Sequence, residues 1–568
     1  MGAISNSDRP AHLTAVRDDG PEGPASAPAH DRSAGERHAR RSRLAGLRAV
    51  PGYVWWVTAL YVTVLVGYSI VVPTYRAPDE PLHVDLSHLF SEELTYPAWD
   101  ERDTGPDVQR SLSIVRFGDQ AAHLEAGDAP PKSERPAFED LASPPMPTGI
   151  NQLPQHPPLY YVTTGLAMWA AEAVVGDPIG DFVLETWLYR AMSIAFVAVL
   201  PLAVWRVCEL LGAARTVTVT AMLVPLAIPQ LMHIGASANN DNLVLAFMWL
   251  STPVVLRIAR GALGTRTAVL AGVLTGLGLL TKLYASVLPI WVLGALLLAV
   301  RRARRANLGA AVRFAVVYGV VALVTGGWWW IRNIVLYGEL TPSRFSELVP
   351  PTDRPRDLWA FLDAWAYSTT RRFWGDFGWY DTHISGVVVA VATAVCLLAL
   401  AVGCARPDRV TGTPRSFRLL LVAPLLALIV GQFSLALRGY INTGRMAGLQ
   451  GRYWFGAVAG LAVVVALGLA NLVGRRQRWL PLGALAAVAG MQLAAMSTIF
   501  GFYWGEPGSA LADRVRAVVA WAALPGELLG VGAVLGVVAV AGGLWSVVGS
   551  ARLPRDPAPP RLDDVRAA

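Results

Sequence analysis

The sequence predicts an all-α protein, a polytopic transmembrane bundle of about 12 or 13 helical spans with a large first extracytoplasmic loop. Three observations predict it. Of 568 residues, 54% are hydrophobic and only 16% charged, with a mean hydropathy of +0.42; soluble domains do not carry that balance. Apolar runs long enough to span a bilayer recur from Tyr53 to Val547. The basic residues fall in short clusters between those runs, as the positive-inside rule requires.

The net charge of +7 comes almost wholly from arginine, since Lys132 and Lys282 are the only lysines. Scattered in this way it offers no surface to nucleic acid, and no such partner is expected. Cys208, Cys396 and Cys404 stand in or beside apolar runs at no metal-ligand spacing. They read as small core residues, not as a disulfide or a zinc site.

Residues 1–50 begin with a tract rich in Pro, Ala, Asp, Arg and Gly that has no apolar period, which reads as a disordered tail. Arg37, Arg40, Arg41, Arg43 and Arg48 then precede the first span, Tyr53 to Val72. That asymmetry puts the N-terminus in the cytoplasm and the following loop outside. The run reads as a retained anchor, being too long for a signal-peptide core and lacking a small-residue cleavage pattern. Residues 51–550 form the membrane domain, with external loops at 74–157 and 332–384, and residues 551–568 a cytoplasmic tail. Because full crossing by the stretch from His156 to Val174 would upset the alternation of basic loops, a short, interfacial or re-entrant helix is expected there.

This scheme places every unusual polar cluster on the external side. Pro78-Asp79-Glu80-Pro81-Leu82-His83 follows the first span directly. Ionisable groups at such a boundary need a partner or a task. Adjacent acids on a turn point in different directions, so one of the pair can meet a substrate hydroxyl while the other serves a cation or the loop. The plain alternative is a solvated charge pair. Lys282, in Leu280-Thr281-Lys282, is either a snorkelling lysine or a phosphate-binding cation. No nucleotide-binding loop is present, because the glycines before it lack the required spacing and suit close helix packing instead.

Arg332 closes Trp328-Trp329-Trp330-Ile331-Arg332, and Arg452 stands in Gln450-Gly451-Arg452-Tyr453. An arginine at an external boundary opposes the charge bias and suits a phosphate, which its planar fork holds with two hydrogen bonds. Phe373-Trp374-Gly375-Asp376-Phe377-Gly378-Trp379-Tyr380 joins aromatic faces to an acid, a composition suited to a sugar ring or to a membrane-surface loop. Asn239-Asn240-Asp241 either caps the next helix or adds a second carboxylate to a site for sugar or a divalent ion. His156-Pro157-Pro158 reads as a helix start or a further polar contact.

Together these stretches resemble the GT-C superfamily of polyprenyl-phosphate-sugar-dependent glycosyltransferases, which includes protein mannosyltransferase-like and aminoarabinose transferase-like members. The nearest likeness is to the bacterial membrane proteins of the DUF2142 type, over residues 50–500. The residues that carry it are Pro78 to His83, His156 to Tyr161, Asn239 to Asp241, Leu280 to Lys282, Trp329 to Gly338, Phe373 to Trp379 and Gln450 to Tyr453. The resemblance implies a GT-C-like fold and a base carboxylate at Asp79, with Glu80 as runner-up. It implies a second acid at Asp241 and a lipid phosphate held by Lys282, Arg332 and Arg452.

His83, His156 and Asn240 join that phosphate group, while Trp374, Asp376, Trp379 and Tyr453 are candidate sugar or acceptor contacts. No cofactor is assigned, and the place of a divalent cation is left open. The function implied is transfer of a sugar from a polyprenyl-phosphate donor in the bilayer to an extracytoplasmic glycan, lipid or protein, in a bacterial plasma membrane. The rivals are a flippase for lipid-linked sugars, which predicts broken helices in two related halves, and a non-catalytic envelope-assembly protein. Transfer requires Asp79, Lys282 and Arg332 to gather around one pocket.

Overall fold

The computed structural model describes residues 50–552 except 119–122, 145, 147, 177 and 304–307. The expected tails, with the arginines at 37–48, lie outside these residues apart from positions 50, 551 and 552. The described chain is helical, and its one sheet is a hairpin of two short strands, Asp376–Phe377 against Thr382–His383.

Among the described residues nine helical stretches are long and apolar enough to cross a membrane. One of them, Gly451–Tyr503, has 53 residues and holds two helices, Val458–Val473 and Leu480–Tyr503. The expected run from Val217 to Ile234 is instead a pair of helical segments, Arg215–Ala227 and Pro229–Gly235, bent by 71°. Pro229 has no N–H to continue the ladder, and the residue before a proline avoids helical geometry, which accounts for the break. Leu159–Val175 and Thr265–Leu279 are shorter apolar helices. By length and composition the described residues thus give nine spans, or ten if the bent pair is one, fewer than the expected 12 or 13.

Asp241–Ala259 is the central helix, with 83% of its apolar window buried. Outer helices turn large apolar side chains outward, among them Ile290, Val324, Val335 and Val387. The glycines ahead of Lys282 pack as expected. A Cβ on Gly272 would strike Val321 and the Tyr318 carbonyl, and Gly276 lies against Gly326 of the neighbouring helix. Small residues of this kind let helices approach where no water drives them together.

The first loop folds into the helices Glu80–Glu93, Pro106–Ile114 and Phe138–Leu141 with single turns between them. The second carries Leu358–Trp374, which ends at the hairpin. His88 ties the first loop to the bundle, meeting Glu185 at 2.9 Å and Asp107 at 3.3 Å. Burial opposes a proton on His88, but those two carboxylates outweigh it and hold its pKa well above the usual value.

Candidate functional site

Backbone bonds draw the sequence motifs to one place. The helix Thr265–Leu279 ends in carbonyls that need donors. Trp330 Nε1 donates to Leu279 O at 3.1 Å, and the Leu159 N–H donates to Leu280 O at 3.1 Å. The tryptophan cluster and the His156-Pro157-Pro158 turn are thereby fixed beside Lys282. On the other side, the Ala238 N–H donates to Glu80 Oε1 at 3.0 Å, which seats the Asn239-Asn240-Asp241 turn on the first loop. Asn240 occupies the N-cap position of the central helix without using its side chain; Asn239 Oδ1 accepts from the Asp241 N–H at 2.9 Å instead.

The result is an alternating row of charge. Lys282 Nζ lies 2.6 Å from Asp241 Oδ1 and donates to Asn240 Oδ1 at 2.8 Å. Asp241 Oδ2 faces Arg452 Nε at 3.7 Å, and Arg452 Nη2 donates to Asp79 Oδ2 at 2.8 Å. Lys282, Asp241 and Arg452 side chains are 8%, 5% and 5% exposed, whereas Asp79 is 27% exposed, so Asp79 is the open end of the row. Arg452 Nε and Nη1 and Asp241 Oδ2 are buried with no hydrogen-bond partner. A buried donor left without a partner calls for an explanation, and a ligand is one.

Arg452 is placed by its neighbour. Gly451 lies so close to the backbone of Thr369 and Phe373 that a Cβ would overlap both. Asp79 is placed by strain that its surroundings impose: its φ is 63° and that of Tyr75 is 66°. Non-glycine residues seldom adopt this left-handed region, although Asp tolerates it better than most.

Glu80 imposes that geometry and is not an alternative base. It is fully buried and accepts four hydrogen bonds: from Arg190 Nε (2.8 Å) and Ala238 N (3.0 Å) on one oxygen, and from Arg190 Nη2 (2.7 Å) and Tyr75 N (3.0 Å) on the other. Arg190 also donates to the carbonyls of Ser69, Val72 and Pro73, at 2.8, 2.8 and 2.9 Å, where the first span ends. The pair clamps the helix end to the loop. Arg190 was not among the sequence candidates, yet an arginine in an apolar span is itself a signal.

Other expectations need correction. Arg332 is absent from the row; its guanidinium lies over Trp329 and Tyr337 and lines a separate pocket, so the expected gathering of Asp79, Lys282 and Arg332 around one pocket is not met, and Arg452 takes the place expected for Arg332. Asp376 is fully buried between Arg371 (3.0 Å) and Arg372 (3.4 Å), closed to a sugar. Trp374 donates to Thr393 and lines an apolar pocket of its own, while Trp379 donates to Tyr75 O and packs on Phe117. Their motif braces the loop that carries Asp79. His83 is buried, its Nδ1 3.0 Å from the Tyr161 hydroxyl. Burial, then the charges of Lys282 and Arg452, hold its pKa well below the usual value.

A cavity of 430 Å³ opens beside Lys282 and is lined by His156, Tyr284, Tyr453 and then by apolar residues such as Val287, Leu428 and Leu435. Tyr284 and Tyr453 lie 4.7 Å apart at its polar end. Enclosure of His156, then the Lys282 charge, pushes its pKa down to about 3 although Asp241 opposes the shift. His156 is therefore neutral near pH 7. Its unfolded value is about 6.5, so the stability that depends on a neutral ring is complete above that pH and is lost as pH falls toward 3. Melting temperatures measured across that window are expected to fall more steeply for the wild type than for His156→Gln; superimposable profiles would contradict the assignment.

Among the described residues no group of three or more His, Cys, Asp or Glu side chains could hold a metal ion. The acids of the row face Lys282 and Arg452 instead.

Fold and site define a polytopic helical membrane protein that gathers acids and cations at one end of its central helix, beside an apolar cavity. The chain belongs to the family described as Predicted membrane protein (DUF2142), whose pattern matches residues 62–461. No curated protein matches it. Its fold is similar to that of ArnT from Cupriavidus metallidurans in the apo state, with 16% identity, a TM-score of 0.43 and coverage of 88% of this chain and 74% of that one. The corresponding values for ArnT bound to undecaprenyl phosphate are 14%, 0.43, 88% and 76%. For the Archaeoglobus fulgidus oligosaccharyltransferase in the apo form they are 11%, 0.41, 84% and 57%.

Proposed function

We propose that the protein is a membrane glycosyltransferase of the GT-C type that moves a sugar from a polyprenyl-phosphate donor to an extracytoplasmic acceptor. The observation that carries this reading is the position of the charged row. One cation, Lys282, stands at the polar end of an apolar cavity; a second, Arg452, whose buried Nη1 has no hydrogen-bond partner, lies next along the row, with one accessible acid beyond it. A phosphate with a lipid chain matches that sequence of surfaces.

In the proposed reaction Asp79 accepts the proton of an acceptor hydroxyl as its oxygen attacks the anomeric carbon. The bond from that carbon to the phosphate oxygen breaks, and the electron pair leaves with the phosphate. Lys282 and Arg452 stabilise the charge that grows there. Lys282 has three donors and spends two on Asn240 and Asp241. Attack opposite the departing phosphate inverts the anomeric centre. Tyr453 and Tyr284, in contact with each other, line one side of the space for the sugar, and the wall from Leu428 to Leu435 takes the chain.

The sidedness proposed from the basic loops agrees with the helix polarity. Asp241 opens the central helix and Arg257 lies in its last turn; Lys282 precedes the helix Val287–Arg302, which ends in Arg301 and Arg302. The site and the arginine clusters thus occupy opposite ends of the same helices, as an extracytoplasmic site with cytoplasmic arginines requires. The test is incubation of the purified protein with a labelled polyprenyl-phosphate sugar and envelope acceptors. Release of polyprenyl phosphate with label on the acceptor supports transfer. Label that crosses the bilayer of a proteoliposome while still attached to lipid supports the flippase.

A further inference from the structure

The pocket that holds Arg332 is the feature of the molecule this reaction leaves unused. It has a volume of 120 Å³ and is lined by Tyr96, Trp99, Trp329 and Tyr337 around Arg332, with Gln155 and Asn333 as amides. Gln155 also lines the large cavity, so the two spaces share a wall. Tyr96 belongs to that wall: its hydroxyl donates to His156 O at 2.8 Å and its ring stacks on Tyr161 at 5.7 Å.

Two properties of the pocket bear on what it binds. The first is its cation. Arg332 donates to Asn333 Oδ1 and to the Tyr337 hydroxyl, each at 3.2 Å, and among the described residues it forms no ion pair. The other arginines of the site region, 190, 371, 372 and 452, each face a carboxylate. The rings on which Arg332 rests, Trp329 at 4.7 Å and Tyr337 at 5.4 Å, orient the guanidinium plane without neutralising it. The second property is the ring array. Trp99 and Tyr337 meet edge to face at 6.3 Å, as do Tyr96 and Trp329. Trp329 is 8% exposed and its indole N–H has no partner.

We infer that this pocket binds an acidic sugar residue of the acceptor, a pyranose bearing a carboxylate that pairs with Arg332 while the ring packs against the aromatic faces. The inference rests on the transferase reading only for the word acceptor; binding of an acidic glycan stands without it. A carboxylate matches the guanidinium fork, which can meet both of its oxygens. The small volume suits one ring and excludes a long lipid chain. A neighbouring hydroxyl would then face the shared wall, on whose other side His156 and Lys282 line the large cavity.

The experiment is binding of tetragalacturonate to the purified full-length protein, read by tryptophan fluorescence, with maltotetraose as the neutral control and undecaprenyl phosphate as the lipid control. The wild type is expected to bind the uronate at least about tenfold more tightly than the neutral glycan. Arg332→Gln and, separately, Trp99→Ala should each lose about tenfold in uronate affinity, with unchanged melting temperatures. Arg332→Lys should recover part of the loss. Equal binding of neutral and acidic glycans, or uronate binding unchanged in both Arg332→Gln and Trp99→Ala, overturns the proposal. Loss of undecaprenyl phosphate binding in Arg332→Gln with uronate binding intact would assign the arginine to the lipid and overturns it equally. Failure of sugar transfer with uronate binding as described would count against the transferase and leave this pocket standing.

Discussion

Asp79→Asn is expected to lower sugar transfer by about 10²–10⁴-fold while leaving the melting temperature close to that of the wild type. The amide keeps the shape of the side chain and can still accept from Arg452, but it cannot take a proton from a hydroxyl. Stability is little affected, because Asp79 is the most exposed member of the row and makes a single hydrogen bond there. Glu80→Gln separates catalysis from folding. Its carboxylate is sealed from substrate, so replacement should reduce the yield and melting temperature of the protein, and the activity that remains should scale with folded protein. Transfer that survives in Asp79→Asn, or falls in Glu80→Gln without loss of stability, would reverse the two roles.

Arg190→Met is expected to cost about 3–5 kcal/mol of stability, measured by detergent-denaturant unfolding. The size follows from what is abandoned. Glu80 becomes a buried anion without a counter-ion, and the carbonyls of Ser69, Val72 and Pro73 lose their donor at the point where the first span ends. Methionine fills the volume but satisfies none of these groups. The left-handed backbone at Tyr75 and Asp79 is held by the same carboxylate, so the loop is expected to relax before the bundle unfolds. Protease sensitivity in residues 74–104 should therefore rise first. An Arg190→Met protein with wild-type stability would mean that the clamp carries no weight.

The spans were legible because hydropathy and loop charge are local properties of the sequence. The break at Pro229 was written there too, in a proline inside the expected run from Val217 to Ile234. The short motifs pointed to Asp79, Asp241, Lys282, His156 and Arg452, and the structure brings all five together. Their pairing was not legible. Nothing local says that Arg452 meets Asp79 across 373 residues, or that Glu80 turns inward to Arg190 while its neighbour stays open. Arg332 and Arg452 occupy similar sequence settings and differ only in what the rest of the chain sets beside them. Asp376 was misread for the same reason, since its two arginines lie one turn earlier on a helix that the loop composition concealed.

The rival readings meet the structure unevenly. A flippase built from two related halves would have matching broken helices, and the described residues contain one bent pair. Arg452 Nη1, buried without a hydrogen-bond partner in a row that reaches the cavity through Lys282, favours a ligand over a purely structural role.

The central claim is that cations from distant helices hold a single lipid phosphate beside an acid of the first loop. A structure of the protein with polyprenyl phosphate bound tests it most directly. The phosphate is expected within hydrogen-bonding distance of Lys282 Nζ and the Arg452 guanidinium, with the first isoprene units along Leu428 and Leu435 and Asp79 facing the open side. A phosphate found instead against Arg332, or at the arginine-bearing ends of the helices, would contradict the account.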